Sequence, residues 1–380
     1  MNVSEPVNRE IDNIVGELTR QDPFRVWRTA VDNHIAAADP EFVVALARAS
    51  APKVDPDLGR ALLDSAFRSL LGAQVPGKVT AALHVVAVMR PTKRRVRHLA
   101  ALLAGLLDAD DAVTAFLQAG AAGPIAEELR ACLLHELLFR GVTVTELDPI
   151  ARWTASPHWA RHPLRPLPLQ RTDFEHDLPI RHYSGNGSSV ALPFDTDPTP
   201  ALSRHTRIAL PRARETTTPE STEQLEQAVA NWKTHSNGRI EARTFALTSI
   251  PDPATAAAVL ETLPLACLQA RHPAATDLVV TPSTPARVWR ILFAAAANGG
   301  AYNSGEGVGY GRLAAWQSLA ALCGATDIDT IAAITRRAND ARWFTFSADT
   351  PWFERIAWDL GVFAITPDPS VSVLAATDTD

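Results

Sequence analysis

The stretch best equipped for chemistry is Asn298 to Gly311, NGGAYNSGEGVGYG, in which six of fourteen residues are glycine and Arg312 follows directly. Backbone N–H groups in a glycine-rich loop that opens into a helix can cradle an anion. Tyr302, Asn303, Glu306 and Arg312 would add polar groups, and Trp316, one helical turn on, a wall. A cation at a helix start opposes the helix dipole unless an anion answers it. Arg312 therefore asks for Glu306, or for a bound phosphate or carboxylate. These five residues form the candidate site for a small anionic ligand, and a Glu beside an Arg could also act as a general base. The competing reading is geometric: the glycines allow a tight turn against a neighbouring helix, and Arg312 pairs with Glu306.

Other motifs are weaker. Gly309, Gly311 and Ala314 fit only the relaxed dinucleotide fingerprint, with a helix and a loop in front of them where a strand is required. A phosphate-binding loop would need Gly-Lys-Ser or Gly-Lys-Thr, which this stretch lacks. His158 and His162 have the four-residue spacing of zinc ligands on a helix, but Pro157 and Pro163 bracket them and no Glu stands between as in HExxH. Gly187-Ser188-Ser189-Val190-Ala191 ends in alanine where a nucleophile elbow needs glycine. Asp378 and Asp380 could share a divalent cation, although a frayed acidic end explains them as well. No catalytic residue is identified, no metal site or cofactor is expected, and whether the chain is an enzyme stays open.

Composition narrows the classes. The chain has 380 residues, a net charge of -6, 46% hydrophobic residues and 3 cysteines. It can bury a core for two domains, which excludes wholesale disorder. Three widely spaced cysteines encode neither a disulfide framework nor a zinc knuckle, so a cytoplasmic protein is expected. No apolar run reaches the roughly 20 residues of a membrane span, and the acidic N-terminal stretch is unlike a secretory signal. The expectation is a soluble protein with no membrane partner. The basic run Arg90, Lys93, Arg94, Arg95, Arg97 and His98 lacks interleaved aromatics, which argues against nucleic acid and leaves two readings, a solvated corner or a docking point for an acidic partner.

Three segments position these residues. Up to residue 148, apolar residues recur at helical spacing between short breaks, predicting helices over Pro23–Ala37, Pro40–Ala49, Pro56–Leu71, Gly77–Met89, Lys93–Leu107, Ala109–Gln118 and Pro124–Phe139. Asp22-Pro23, Asp39-Pro40 and Asp55-Pro56 each place a capping carboxylate before a proline, whose missing N–H costs nothing in a first turn. This is a helical array, solenoid-like or an irregular bundle. Residues 149–219 are proline-rich and read as a connector, with Ser189–Phe194 and Thr206–Leu210 able to add as edge strands. Residues 220–380 alternate helices (221–235, 253–262, 284–297, 312–322, 327–338, 351–360) with strands (239–248, 277–280, 342–346, 362–366, 371–376), the last two strands forming a hairpin. The fold class is α+β, mainly α, with a small antiparallel sheet in the C-terminal domain.

Three blocks, SNGRIEARTFAL (Ser236 to Leu247), NGGAYNSGEGVGYGRLAAWQSLAALCG (Asn298 to Gly324) and WDLGVFAITPDPSVSVLAATDTD (Trp358 to Asp380), resemble an uncharacterised actinobacterial family, a domain of unknown function. The resemblance covers roughly residues 230–380 and implies no reaction and no site residue. With no established catalytic motif in the chain, the first functional expectation is a binding or protein-interaction module. The second is an enzyme or small-molecule sensor with its pocket at the glycine loop.

Overall fold

The computed structural model describes residues 5–18, 20, 22–184, 187–191, 200–203, 208–269, 278–326, 329–353 and 358–378. The chain divides into two compact units, residues 1–162 with 182–189, and residues 163–181 with 190–380. The class is α+β, mainly α, and no helix among the described residues is long and apolar enough to cross a membrane.

The first unit is an array of α1 (Glu5–Leu18), α2 (Pro23–Ala36), α3 (Pro40–Ser50), α4 (Pro56–Gly72), α5 (Lys78–Met89), α6 (Lys93–Leu106), α7 (Ala109–Gln118) and α8 (Ala126–Phe139), then the short α9 (Asp148–Thr154) and α10 (Pro157–Ala160). The three Asp-Pro pairs cap as expected: Asp22 accepts from Phe24 N, Asp39 from Phe42 N, and Asp55 from Asp57 N and Leu58 N. Helix α5 is almost wholly apolar and packs against α3, α4 and α7, so it forms the unit's interior. Helices α9 and α10 belong to this unit, in a stretch that the sequence reads as connector. Their prolines stand in the first turn, where no hydrogen bond is lost. The hairpin of β1 (His182–Ser184) and β2 (Gly187–Ser189) sets Tyr183 against Gly105 of α6, where a Cβ would lie 2.9 Å from its ring.

The second unit is built on one antiparallel sheet, in the order β3-β4-β8-β7-β6-β5. Its strands are β3 (Ala213–Glu215), β4 (Arg239–Leu247), β5 (Leu278–Ser283), β6 (Arg342–Ala348), β7 (Asp359–Thr366) and β8 (Ser370–Thr377). Strands β7 and β8 are the predicted hairpin, and they are buried along nearly their whole length, as central strands covered on both faces must be. One face packs Phe245, Phe344, Phe363, Val371 and Val373 under α13 (Ala256–Thr262). Around the sheet stand α11 (Pro219–Glu226), α12 (Ala230–His235), α14 (Pro285–Asn298), α15 (Gly307–Leu322) and α16 (Ile331–Asp340), with α15 against β8 and α14 against β6.

Several expectations are corrected. The helix expected over 221–235 is two helices, α11 and α12, broken at residues 227–229. The helix expected over 351–360 is not formed at its described ends, since Asp359 already begins β7; residues 354–357 lie outside the described residues. Thr330 caps α16 where Asp327 was expected, and residues 327–328 also lie outside the described residues. At the sheet edges β3 is added to β4, and Leu202 N donates to Val280 O of β5 at 2.7 Å. Of the segments expected there, Ser189 is in β2, and residues 192–199 and 204–207 lie outside the described residues.

Glycine spacing fixes how tightly α14 and α15 pack. A Cβ at Gly311 would lie 2.6 Å from Ala297 Cα, a backbone atom that cannot swing aside. Gly311→Ala is therefore expected to destabilise the protein by about 1–3 kcal/mol through overpacking. Gly16→Ala in α1, with nothing within 4 Å of the new methyl, should stabilise it by about 0.5–1 kcal/mol. Urea unfolding of both variants checks the pair.

Candidate functional site

The glycine loop is shorter than its sequence suggests. Helix α15 begins at Gly307, so the GVGYG segment is helical and only residues 299–306 turn. Gly299, Gly305 and Gly307 take positive φ angles of 84°, 68° and 71°, where a side chain would be strained. A Cβ on Gly305 would also meet Ala297 O at 2.4 Å. The loop is folded back onto the end of α14, with Glu306 N donating to Ala296 O at 2.9 Å.

The five sequence-selected residues are not gathered around one cavity. Tyr302 is 57% exposed. Asn303 is half-buried, its Oδ1 accepting from Gly305 N at 2.9 Å, while its Nδ2 has no hydrogen-bond partner. Glu306 is half-buried at the N-cap of α15. Arg312 and Trp316 lie in the core.

The anion that answers Arg312 is Glu175, in the proline-rich segment that sequence reading treated as connector. Both side chains are 0% exposed. Arg312 donates from Nε to Glu175 Oε1 at 2.7 Å and from Nη2 to Oε2 at 2.8 Å, a two-pronged pairing, and also to the carbonyls of Pro168 and Gln170. Glu175 accepts further from Trp316 Nε1 at 2.7 Å and from Thr172 N at 2.8 Å. Phe174 stacks on Trp316 at 5.7 Å. Burying two charges is tolerable only when their remaining polar groups are met in this way. Arg312 is thus a structural residue that pins residues 168–175 to α15. The signal in the sequence was the apolar set Leu164, Leu167 and Phe174 inside the proline-rich run, all of them buried.

Asp378 is no frayed end either. It is 0% exposed, and its Oδ2 accepts from Ala301 N at 2.7 Å, which ties the glycine loop to the end of β8. Gly300 is required there, since a Cβ would fall 1.7 Å from that oxygen.

The histidine pair separates: His158 is exposed on the four-residue α10, while His162 Nε2 lies 3.2 Å from Glu128 Oε2. Among the described residues no group of three His, Cys, Asp or Glu side chains is placed to hold a metal ion. The three cysteines are buried thiols. Burial pushes Cys323 up to about 11 and Cys132 well above the ordinary thiol value, the Glu128 carboxylate adding to the second.

A concave site lies instead in the helical unit. An open cleft of about 390 Å³ is lined by Gln74 to Gly77 in the turn before α5, by Lys78, Val79 and Thr80 at its start, and by Asp111, Thr114 and Gln118 of α7. Lys78, its side chain 9% exposed, pairs with Asp111 at 2.9 Å. The Thr80 hydroxyl donates to Gln118 Oε1 at 2.6 Å. No motif marks this place in the sequence; the one hint is a lysine opening the most apolar helix of the array.

Residues 25–380 match the model of a family of unknown function, DUF6183. The chain belongs to that family. The DUF6183 match reaches well beyond the C-terminal blocks that carried the resemblance, taking in nearly all of the helical unit. Comparison with curated proteins and with solved structures finds no match.

Two outcomes are expected. Glu175→Ala, which leaves Arg312 buried without its anion, should cost about 3–5 kcal/mol in urea unfolding, and Glu175→Leu combined with Arg312→Met should recover most of it. A thiol reagent at pH 8 should modify the cysteines of the native protein far more slowly than those of the urea-unfolded chain, because the thiolate is the reactive form.

Proposed function

We propose that the chain is a binding module whose helical unit takes a small polar solute in the cleft between the start of α5 and α7. The observation that carries this reading is the cleft itself, a concavity of about 390 Å³ walled by the turn at Gln74–Gly77, the start of α5 and α7, with the Lys78–Asp111 ion pair in its lining. Its volume falls at the lower end of the ~300–1,000 Å³ typical of small-molecule sites. Of its polar groups, Lys78, Thr80, Asp111, Thr114 and Gln118 stand on helices, which hold them more rigidly than loops do. The interior helix α5 supplies that rigidity, since its apolar faces are fixed by α3, α4 and α7. A cytoplasmic setting goes with this reading and is supported by three cysteines in the thiol form.

The glycine loop is the weaker place for a ligand, because Arg312 and Trp316 are already committed to Glu175. The Lys78–Asp111 pair, by contrast, lines open space.

Screening the full chain by thermal shift against polar metabolites tests the reading. A solute at a hundred times its dissociation constant should stabilise the protein by about 2.7 kcal/mol. Thr114→Trp, which fills the cleft from α7, should abolish the shift without lowering the unliganded melting temperature by more than a few degrees. A shift that survives Thr114→Trp, or no shift with any solute, overturns the proposal.

A further inference from the structure

We infer that Asn237 is a site of spontaneous covalent modification, at which the side-chain amide is lost through a cyclic imide formed with the next residue. The sequence holds three Asn-Gly pairs, at 186–187, 237–238 and 298–299. Glycine is the permissive neighbour, since no Cβ shields its backbone nitrogen from the asparagine Cγ. The structure separates the two pairs whose asparagine is described. Asn298 is buried at the end of α14, with its Nδ2 tied to Pro179 O at 2.7 Å. Asn237 is exposed in the bend between α12 and β4, and its side chain makes no hydrogen bond to any described residue.

One contact restrains the reacting nitrogen. Gly238 N donates to Trp232 O at 3.1 Å, and this bond must open before the nitrogen can turn toward Asn237 Cγ. Both neighbours of Gly238 are exposed, and a bend of that kind opens far more readily than a packed helix end. Glycine is nevertheless required here, because a Cβ would lie 2.8 Å from Trp232 Cβ and 2.9 Å from its carbonyl carbon. The packing that demands Gly238 thus preserves the reactivity of Asn237.

Hydroxide takes the Gly238 N–H proton, the nitrogen bonds to Asn237 Cγ, and the side-chain nitrogen leaves as ammonia with a proton from water. Water then opens the imide at either carbonyl, giving aspartate or isoaspartate. Either product adds a negative charge to a chain of net charge -6. Isoaspartate also inserts a methylene into the main chain. Arg239 follows at once, paired with Thr377 in the sheet, so the added length falls on the contact of Gly238 with Trp232.

Incubating the folded full chain at pH 8 and mapping its tryptic peptides by mass spectrometry tests the assignment. Peptide 234–239 should gain the deamidation mass and split into aspartate and isoaspartate forms. It should do so at least about tenfold faster than Asn298, read by fragmentation of peptide 291–312, because the buried pair must first open. In urea the two rates should converge. Asn237→Gln, which would have to close a larger ring, should leave peptide 234–239 unmodified. Modification of Asn298 as fast as Asn237 in the folded chain overturns the assignment. So does an Asn237 that stays intact in the folded chain but reacts in urea, which would show that the bond to Trp232 shields the nitrogen.

Discussion

The pairing of Arg312 with Glu175 is the constraint around which the second unit is arranged. Two opposite charges stand with no exposure to water, and neither could remain there alone. Meeting them requires the carbonyls of Pro168 and Gln170, the indole of Trp316 and the amide of Thr172. That requirement explains why a proline-rich segment with little regular structure is nevertheless fixed in place. Proline removes backbone donors and stiffens the chain, so the segment presents carbonyls to the guanidinium without needing a strand or helix to satisfy itself.

A second constraint is the close approach of α14 and α15. Gly311 lies on Ala297, and Gly299, Gly305 and Gly307 take backbone conformations that side chains resist. The turn between them is anchored from the sheet by Asp378, the last described residue. A run that looks made to wrap an anion is, for the most part, what two tightly packed helices need in order to reverse direction. In the helical unit the organising element is α5, whose apolar body is interior and whose polar first turn opens into the cleft.

How much of this was legible varies with the physics. Helices α2 to α7 were readable to within two residues, because helical periodicity and Asp-Pro caps are local signals. The β7–β8 hairpin was readable for the same reason, as two apolar runs around an Asp-Pro turn. The start of α15 was not, since four glycines in its approach and first turns argue against helix locally and only the contact with Ala297 reverses that judgement. The partner of Arg312 was invisible, being 137 residues away in a stretch without periodicity. Asp378 was misjudged because a chain end carries no local sign of burial. The cleft had no signal beyond one lysine, as the residues that line it form no motif and meet only when α5 and α7 pack.

The separation between Glu175 and Arg312 also has a consequence in time. Glu175 leaves the ribosome 137 residues before the arginine that makes its burial tolerable. At synthesis rates of about 5–20 residues per second, the carboxylate waits roughly 7–27 s for its partner. During that interval residues 163–181 have no stable place in the second unit. Yet residues 182–189, which belong to the first unit, are already synthesised. Where the first unit folds before Arg312 emerges, residues 163–181 are a loop between two segments of that unit, and Glu175 still lacks the guanidinium that its burial requires.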